Sequence, residues 1–558
     1  MIKRLILANM FLVIFSGLLL AQSADTVYVP ATLEDGSPYF DSIIDYVVAD
    51  TNTTGEQLHS IYKLERGKYY ILNKAISLRN PVEIVAEAPV ANDPTKTPPK
   101  IMSNINEDGG TSTGNLFITW ADITLKNLWL SGIDLGAVNH GWGANGALSV
   151  EDSLVTVNLD GIWCDFNSWS AFGTTQPHTK WYINNFHARN EQNAGDQWTT
   201  FLFYVEGASV IDTFIVTNSS YFQSNSCFLF PPSVVKYLEV DHCTFVNSYK
   251  WPFHQTQWLN AKFTNNIFYN EGGLSLTPAE AESQDPDGLM FGLINVDTLA
   301  ANQVGGDTLA SQYTIPEADR MVEVKNNLWF YSPEIESYLA DHDSVMHPVF
   351  MNSRTEAVFA NDEVWPGLVA ANNWNQDPMF NDFSGLSEAV GLFAQACRDV
   401  RAGNTHGWDW DGDMATDPDY FRLLIQYPTA ENFRSYSGLV GTDGLPLGDL
   451  SYYPEITAVE PETEIPTSFV LQQNYPNPFN PTTEIKYQIN EVGNVRLAIY
   501  NILGEKVKTL VSQSMAPGSY SVTWNGKNDA GMTAPSGIYF YELEMGASHA
   551  VKKMMLLK

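Results

Sequence analysis

The chain of 558 residues is poor in cysteine, in positive charge and, beyond its first residues, in long apolar runs. Four cysteines are too few for the disulfide framework of a small secreted domain, and no Cys-x-x-Cys spacing indicates zinc or a redox dithiol. A sparse, unpaired set of this kind is typical of thiols that pack as small apolar groups. We therefore expect buried thiols at Cys164, Cys227, Cys243 and Cys397.

Positive charge is scarce, since 30 Lys and Arg face 64 Asp and Glu and the formal net charge is -34. Nucleic-acid binding depends on Lys and Arg that displace counterions, so this composition argues against nucleic acid as a partner. The same balance suits a soluble secreted protein. An anionic substrate would need a cation between itself and such a surface.

The one long apolar run lies at the start, from Leu5 to Leu20, between the basic pair Lys3-Arg4 and the small-residue exit Ala21-Gln22-Ser23-Ala24. This order predicts a secretory signal peptide over residues 1–24, with an uncleaved anchor as the alternative. No Cys follows the run, so a lipoprotein anchor is not indicated. No later stretch reaches the apolar length of a bilayer span, so we expect no transmembrane anchor in the mature chain.

A six-residue pattern recurs between about residues 120 and 330. Examples are "LKNLWL", "INNFHA", "VDHCTF" and "VKNNLW", and the segments start at Leu125, Leu159, Ile183, Val216, Val240, Phe263 and Val324. The starts are separated by 34, 24, 33, 24, 23 and 61 residues. Steps near 24, with insertions, are typical of the coils of a parallel β-helix.

The positions of this repeat form columns. The first is always a large apolar residue, and the sixth contains Leu130, Cys164, Ala188, Tyr221, Phe245, Phe268 and Trp329. One coil cannot bury these side chains alone, so stacked coils would place each on its equivalents. The fourth column becomes polar at Ser219, Cys243, Asn266 and Asn327, where hydrogen-bonded ladders would suit a tight turn between sheets. An antiparallel sandwich is the alternative, but it gives no reason for columns in register.

The repeated segments resemble the coils of right-handed β-helix proteins of the pectin-lyase-like superfamily, over about residues 25–450. The resemblance implies an all-β domain over 25–453, in which "NNWNQDPMF" from Asn372 and "GTDGLPLGDLSYYPE" from Gly441 are closing segments. We interpret the acidic stretch from Glu271 to Arg320 as a surface excursion. In such proteins the substrate site lies in the groove along one sheet.

A second domain follows residues 454–467, which are rich in Pro, Glu and Thr and are typical of a linker. Short alternating runs return beyond it, for example Ile485, Tyr487 and Ile489, and later Ile538 and Phe540. About seven strands in ninety residues predict a small immunoglobulin-like β-sandwich.

Residues 468–558 contain "FVLQQNYPNPFNPTTEIKY", "VRLAIYNILGEKVKTL" and the closing "KKMMLLK", in that order. With these motifs the stretch resembles the C-terminal sorting domain of the type IX secretion system. It implies the type IX machinery as a partner and passage through the periplasm and the outer-membrane translocon. The protein would then be secreted or lie on the outer surface of a Gram-negative bacterium.

Candidate catalytic residues lie in "KWPFHQTQW" and nearby. A lyase that removes a proton next to a uronate carboxylate needs a base and a cation, and Lys250, His254 and Arg189 are the candidates. The alternative is that the aromatic rings of this stretch pack in the core and its polar side chains lie on a surface turn. Candidate substrate-binding residues, with rings that stack on sugars or with an amide, are Trp251, Gln257 and Trp258.

"VDHCTF" from Val240 resembles a short stretch of pectate lyases that is mainly structural in that family. The acidic calcium cluster and the arginine motif of that family are not recognisable downstream. This departure argues against pectate lyase activity.

A second candidate site is the acidic segment "GWDWDGDMATDPDYF". Its oxygen ligands suit Ca²⁺, although the position of Gly412 and the lack of a final Glu exclude an EF-hand. A solvated acidic loop is the alternative, and bound calcium would stabilise the cap rather than perform chemistry. The candidate ligands are Asp409, Asp411, Asp413, Asp417 and Asp419.

These features lead to the hypothesis of a secreted, surface-directed β-helix protein that engages extracellular polysaccharide as a lyase or glycoside hydrolase. A non-catalytic carbohydrate-binding adhesin and a structural surface protein are the alternatives, and fold alone does not choose among them. Base and charge-neutralising groups that meet in one groove would favour an enzyme.

Overall fold

The computed structural model forms two compact units, Met1–Ile456 and Thr457–Lys558. It describes residues 26–88, 97–104, 114–132, 146–165, 167, 170–191, 201–205, 210–224, 228–230, 234–250, 252–253, 258–280, 292–298, 303–304, 307–308, 317–342, 345–380, 386–402, 433–453, 469–490, 493–515, 518–529, 531–546 and 548–557. The predicted signal peptide and linker lie outside these residues.

The first unit is a right-handed parallel β-helix whose coils contribute strands to three walls. Strands are numbered in chain order. The first wall contains β1 (Thr26–Val29), β2 (Ile61–Leu64), β5 (Val82–Ala86), β8 (Ile123–Lys126), β11 (Thr156–Asp160), β14 (Thr179–Asn184), β17 (Val210–Ser224), β19 (Val234–Ser248), β20 (Trp258–Thr264), β24 (Met321–Lys325) and β26 (Leu368–Ala371).

The second wall continues the same sheet around a bend, and β17 and β19 run through both walls. Its other strands are β3 (Tyr69–Leu72), β6 (Lys100–Ser103), β9 (Trp129–Ser131), β12 (Trp163–Asp165), β15 (His187–Glu191), β21 (Ile267–Tyr269), β25 (Leu328–Phe330) and β27 (Trp374–Asn375). The third wall contains β4 (Ile76–Leu78), β7 (Asn115–Thr119), β10 (Gly146–Val150), β13 (Ser170–Thr174), β16 (Phe201–Val205) and β18 (Leu229–Phe230).

Shorter elements complete the described part of this unit. A two-stranded antiparallel ribbon contains β22 (Gln303–Val304) and β23 (Asp307–Thr308). The helices are α1 (Pro333–Asp341), α2 (Ser353–Phe359) and α3 (Leu386–Arg401), with single turns at Ile44–Val48, Glu317–Asp319 and Leu450–Tyr452. Among the described helices, none has the length and apolar character needed to cross a membrane.

The register between coils confirms the predicted columns. In the first column Leu159 lies between Leu125 and Ile183, and in the sixth Phe245 lies between Tyr221 and Phe268. These side chains are buried, and the Phe245 and Phe268 rings stack with centroids 5.1 Å apart. A further coil follows the seven predicted ones, because Val324 pairs with Ala370. The stretch interpreted as a closing segment at Asn372 is therefore part of a coil.

The third position of every repeat has a left-handed backbone, which the sequence analysis did not use. Asn adopts this conformation more easily than other residues with a side chain, and Gly adopts it freely. One such residue at the same place in each coil turns the chain from the first wall into the second. The residues with positive φ are Asn127, Gly161, Asn185, Asn218, His242, Asn265, Asn326 and Asn372.

The fourth position confirms the predicted polar ladder. Asn266 Nδ2 donates to Asn327 Oδ1 at 2.9 Å, and Asn327 Nδ2 donates to Asn373 Oδ1 at 3.0 Å. Asn266 Oδ1 accepts from the backbone N–H of Cys243 at 2.9 Å. Cys164, Cys243 and Cys397 are buried thiols as predicted, whereas Cys227 lies outside the described residues.

The interpretation of Glu271 to Arg320 as a surface excursion is wrong for two of its described parts. Residues 271–276 and 292–297 are buried, and Leu293, Ile294 and Val296 belong to the core of the coils. The backbone N–H of Leu293 donates to Val349 O at 2.9 Å, so this stretch packs as a wall of its coil. Acidic composition hid this apolar stretch in the sequence.

The second unit is an immunoglobulin-like sandwich of seven described strands, the number predicted. One sheet contains β28 (Val470–Leu471), β29 (Thr483–Ile489) and β32 (Gly518–Trp524). The other contains β30 (Gly493–Asn501), β31 (Lys506–Met515), β33 (Gly537–Met545) and β34 (Ser548–Leu556). Three X-Pro bonds before β29 are cis, at Pro476, Pro478 and Pro481.

Burial in the sandwich agrees with the predicted pattern on β29 and departs from it on β33. Ile485, Tyr487 and Ile489 are buried as expected. On β33, however, Ile538 and Phe540 lie on the exposed outer face, and the tyrosines beside them point into the core. Tyrosine is suited to this place because its hydroxyl finds a partner: Tyr541 Oη donates to Gln472 O at 2.8 Å.

Candidate functional site

The outer face of the second wall carries a row of aromatic and basic side chains. Strand alternation points Leu130 into the core, so its neighbours Trp129 and Ser131 point outward. Residues in register with Trp129 on the first five strands of the second wall form what we name the outer column. From the first coil onward, its members are Tyr69, Lys100, Trp129, Trp163 and His187.

Members of the outer column contact one another along the stack. Lys100 Nζ lies 4.2 Å from the centre of the Trp129 ring, a cation–π contact. The Trp129 and Trp163 ring centroids are 6.3 Å apart, and those of Trp163 and His187 are 4.9 Å apart. Lys100, Trp129 and His187 are buried, and Trp163 is half-buried, so of these four side chains the Trp163 ring presents the accessible surface.

Asp165 connects the outer column to a neighbouring column through Arg189. Asp165 Oδ2 accepts from Trp129 Nε1 at 3.0 Å and from Arg189 Nη2 at 3.3 Å. The Arg189 guanidinium also lies 5.2 Å from the Trp129 ring centre. Asp165 is fully buried, and its Oδ1 has no hydrogen-bond partner among the described residues. A buried carboxylate oxygen of this kind is free to accept one more hydrogen bond.

Charged side chains meet in this cluster. Among the described residues, Lys100 and Arg189 bring two cationic groups close to the carboxylate of Asp165. Burial lowers the pKa of the Lys100 ammonium, and the nearby Arg189 lowers it further against the opposing effect of Asp165. Lys100 therefore releases its proton more easily than an exposed lysine.

His187 closes the outer column as a neutral ring. Burial lowers the pKa of its imidazole to about 4. Its Nδ1 lies 2.8 Å from Ser220 Oγ, and its Nε2 lies 3.0 Å from Asn185 Oδ1. The ring is therefore uncharged at neutral pH and is held in place by partners on both sides.

The column that contains Arg189 becomes apolar in the following coils. Arg189 is in register with Phe222, which is followed by Val246 and Tyr269. The Phe222 ring packs against Phe433 with centroids 5.6 Å apart. The register of His187 continues through Ser220 and Thr244, so polar side chains persist in that column.

The structure brings one predicted catalytic residue into this cluster, namely Arg189. Lys250 follows β19, two coils further along, where its carbonyl accepts from the backbone N–H of Gly272 at 3.1 Å. Trp258 is fully buried in the core and donates from Nε1 to Asn295 O at 3.0 Å, so its ring offers no face to a sugar. Trp251, His254 and Gln257 lie outside the described residues.

The predicted calcium ligands Asp409, Asp411, Asp413, Asp417 and Asp419 also lie outside the described residues, and calcium binding there stays a prediction. In the described part of the chain, one group has the spacing to hold a metal ion: Glu542, Glu544 and His549. Arg496 already binds Glu544 at 2.6 Å, and His549 lies 2.7 Å from Glu542. We interpret this exposed group as an ion-pair network.

A second buried polar group lies near Lys250. Glu271 is fully buried, and its Oε2 accepts from Ser248 Oγ at 2.6 Å. Burial raises the pKa of the Glu271 carboxyl to about 8. Tyr331 Oη donates to the Glu271 carbonyl at 2.7 Å. This carboxyl is protonated at neutral pH, and we interpret its role as structural.

The sequence analysis missed four residues of the cluster: Lys100, Trp129, Trp163 and Asp165. A signal was present in the fifth position of the repeat, which reads Trp, Trp and His in the segments from Leu125, Leu159 and Ile183. The predicted site residues lay mostly in "KWPFHQTQW" instead. Lys100 belongs to a coil without a recognisable repeat, so only the register reveals it.

Comparison with known proteins gives a family match for part of the second unit. A family model described as the FlgD Ig-like domain matches residues 479–549. A search of the curated proteins found no match for the chain. The family match therefore concerns the sandwich alone.

Three solved structures are similar to small parts of the chain. Dimeric latent PorU from Porphyromonas gingivalis is 18% identical over 16% of this chain and 9% of its own, with a TM-score of 0.15. FlgD from P. aeruginosa is 24% identical over 13% of this chain and 57% of its own, with a TM-score of 0.12. PorZ, a surface component of the type IX secretion system of P. gingivalis, is 15% identical over 18% of this chain and 13% of its own, with a TM-score of 0.13. The matched parts span less than two thirds of each of these proteins.

Proposed function

We propose that this protein is exported and binds an acidic, uronate-containing polysaccharide along the outer column of its β-helix. The observation that carries the proposal is the alignment of Trp129 and Trp163 with Lys100 and Arg189 on one face. Aromatic rings in a row suit the apolar faces of successive sugars. The two cations suit the carboxylates that such sugars carry.

The local charge supports an anionic ligand in particular. A strongly acidic protein repels polyanions unless one place on it carries positive charge. Lys100 and Arg189 provide that place.

A second candidate is catalysis of β-elimination, and the lowered pKa of Lys100 favours it. Lys100, once it has released its own proton, would take the proton from the carbon next to the uronate carboxylate, and Arg189 would stabilise the enolate. The C–O bond β to the carboxylate then breaks, its electron pair leaves with the oxygen, and that oxygen takes a proton from solvent. The products are an unsaturated uronate and a chain with a free hydroxyl. The non-catalytic adhesin is the alternative.

A polysaccharide screen tests both candidates. We expect uronate polymers to bind and neutral polymers of the same length not to bind. Ultraviolet absorbance of unsaturated products, together with new reducing ends, would show β-elimination, and Lys100→Met should abolish both signals while the variant still binds. Binding without either signal would favour the non-catalytic adhesin over the enzyme. Binding of neutral chains alone would contradict the proposal.

For the second unit, we propose the role of a type IX sorting domain. The motifs from "NYPNPFNP" to "KKMMLLK" support this role, and so does the closed sandwich core of its own. In a Gram-negative host with this system, deletion of residues 468–558 should hold the protein in the periplasm. Fusion of the same residues to a periplasmic reporter should deliver the reporter to the cell surface or medium. Undiminished delivery after the deletion would overturn this proposal.

A further inference from the structure

The strands of the sandwich give the second unit two ends of different character. At one end, which we name the distal end, Thr483 at the start of β29 pairs with Trp524 at the end of β32, and β34 stops at Leu556 beside the start of β33. The chain enters the sandwich at the opposite end, where Val470 pairs with Gln488.

Two neighbouring turns of the distal end carry exposed apolar side chains. In the turn between β30 and β31, Ile502 is 70% exposed and Leu503 is 76% exposed. The loop between β32 and β33 adds the exposed Met532. The backbone N–H of Asp529 in this loop donates to Val507 O at 3.1 Å, which holds the loop beside the first turn.

Other exposed apolar side chains of the second unit lie at the same end. Tyr475, which is 81% exposed, bridges to Glu484 near the start of β29, and Leu557 follows the end of β34. Phe540 and Val551 lie further along the outer sheet face. Among the described residues at the opposite end, no large apolar side chain is exposed. Exposed apolar groups that gather in this way mark a binding surface.

Lysines flank the two turns. Lys506 and Lys527 are exposed, and neither has an acidic partner in the described part of the chain. The nearest acidic residues along the chain are engaged locally: the Glu505 carboxylate accepts a hydrogen bond within its own turn, and that of Asp529 accepts from the backbone N–H of Thr509 at 3.2 Å. The two ammonium groups are therefore available to an anionic partner.

The balance of charge in the second unit is opposite to that of the whole chain. Residues 468–558 contain eight Lys and Arg against six Asp and Glu, whereas the whole chain has 30 against 64. An anionic surface therefore attracts this unit although it repels the chain as a whole.

We propose that the distal end binds a lipid surface with anionic head groups, and that Ile502 and Leu503 enter its apolar layer. Apolar side chains on protruding turns reach the acyl region, while lysines beside them stay at the level of the head groups. The inference goes beyond the proposed sorting role and does not depend on it, because it concerns the protein and lipid alone.

Co-sedimentation with vesicles tests the inference on the whole chain without residues 1–24. The probes are vesicles of phosphatidylglycerol with phosphatidylethanolamine, which are anionic, and vesicles of phosphatidylcholine, which carry no net charge. We expect binding to the anionic vesicles, weakened about tenfold when salt rises from about 0.1 M to about 0.5 M, because salt screens the lysines. Absence of binding to the anionic vesicles, or equal binding to both kinds, would overturn the inference.

Variants of the first turn show whether its apolar side chains enter the lipid. Ile502→Ser combined with Leu503→Ser should weaken binding to the anionic vesicles by about tenfold or more. Ile502→Met combined with Leu503→Met keeps the turn apolar and should bind as the wild type does. The matched control is Leu154→Ser, because Leu154 is 70% exposed on the first unit. Equal binding by the serine variant and the wild type would contradict insertion of the turn.

A second copy of the chain is the competing occupant of the distal end. Sedimentation of the protein without vesicles tests this alternative, and we expect the wild type and the serine variant to have the same mass at every concentration. A dimer that the two serines abolish would assign the distal end to self-association and would overturn the inference.

Discussion

The hydroxyl oxygens of Ser220 and Tyr452 lie 2.8 Å apart, although 232 residues separate them in the chain. The contact fixes the end of the segment Val440–Tyr452, the closing segment, to the second wall. Ser220 also lies 2.8 Å from His187 Nδ1, so it keeps one partner if Tyr452 loses its hydroxyl. The two contacts together link the closing segment to the outer column.

Tyr452→Phe removes this hydroxyl and keeps the buried ring. We expect a loss of about 1 kcal/mol in the free energy of unfolding, the usual net worth of one such hydrogen bond. Urea unfolding of the variant and the wild type measures it. An unchanged midpoint would show that the hydroxyl contact does not hold the closing segment.

Trp163→Ala removes the most accessible tryptophan of the outer column. We expect binding of a uronate oligomer to weaken about tenfold, which corresponds to about 1.4 kcal/mol and to the usual worth of aromatic contacts. The matched control is Trp120→Ala. Trp120 stacks on Arg79, with the guanidinium 3.4 Å from its ring centre, and it lies outside the outer column. Equal losses in the two variants would contradict the assignment.

The hydrogen bonds of the buried Asp165 allow a prediction. Asp165→Asn removes the carboxylate that accepts from both Trp129 and Arg189, whereas Arg189→Gln leaves Asp165 with the Trp129 donor. We expect Asp165→Asn to cost about 3 kcal/mol or more in stability and Arg189→Gln to cost less. Urea midpoints at pH 7 measure the order, and the double variant should recover part of the loss. A reversed order would contradict the prediction.

Glu271 predicts a pH dependence of stability. Burial raises its pKa in the folded protein to about 8, above its value in the unfolded chain. The folded state therefore keeps the proton longer, and stability is fully present below the unfolded pKa and is lost as pH rises through 8. The difference is on the order of 4 kcal/mol.

The Glu271→Gln variant isolates this effect because glutamine does not titrate. We expect the wild type to lose more stability than the variant between pH 5 and pH 8.5, in urea unfolding at each pH. Parallel curves for the two proteins would show that Glu271 does not titrate in this range.

The left-handed residue at Asn127 gives a test of the turn between the walls. Its φ is 56°, where Gly is unstrained and a β-branched residue is not. Asn127→Gly should change stability little, and Asn127→Val should cost roughly 1–2 kcal/mol. Thermal unfolding of the two variants compares them. A tolerated valine would mean that the turn does not require the left-handed conformation.

Much of the fold followed from the sequence because apolar columns must stack to be buried. Leu159 and Phe245 occupy their predicted places for this reason. The candidate site did not follow in the same way. Asp165 and Arg189 meet only because two coils 24 residues apart are in register, and a single strand shows no trace of that.

Trp258 shows the opposite difficulty. Its position beside polar residues suggested an exposed ring, but strand alternation turns it into the core, where its Nε1 finds a backbone carbonyl. Composition along a short stretch does not reveal which face of a strand points outward. The same difficulty applies to β33, where Ile538 and Phe540 are exposed and the tyrosines beside them are buried.

The left-handed turn also determines where the β-helix can accept additional residues or coils. Six residues around each turn keep their register, while the distance to the next turn varies from 23 to 61 residues. Extra chain is therefore accommodated away from the turn, and the coils on both sides still pair. Duplication of one coil would lengthen the stack by a single step. The architecture offers evolution, or a protein engineer, a scaffold whose reach is adjustable and whose loops are replaceable one at a time.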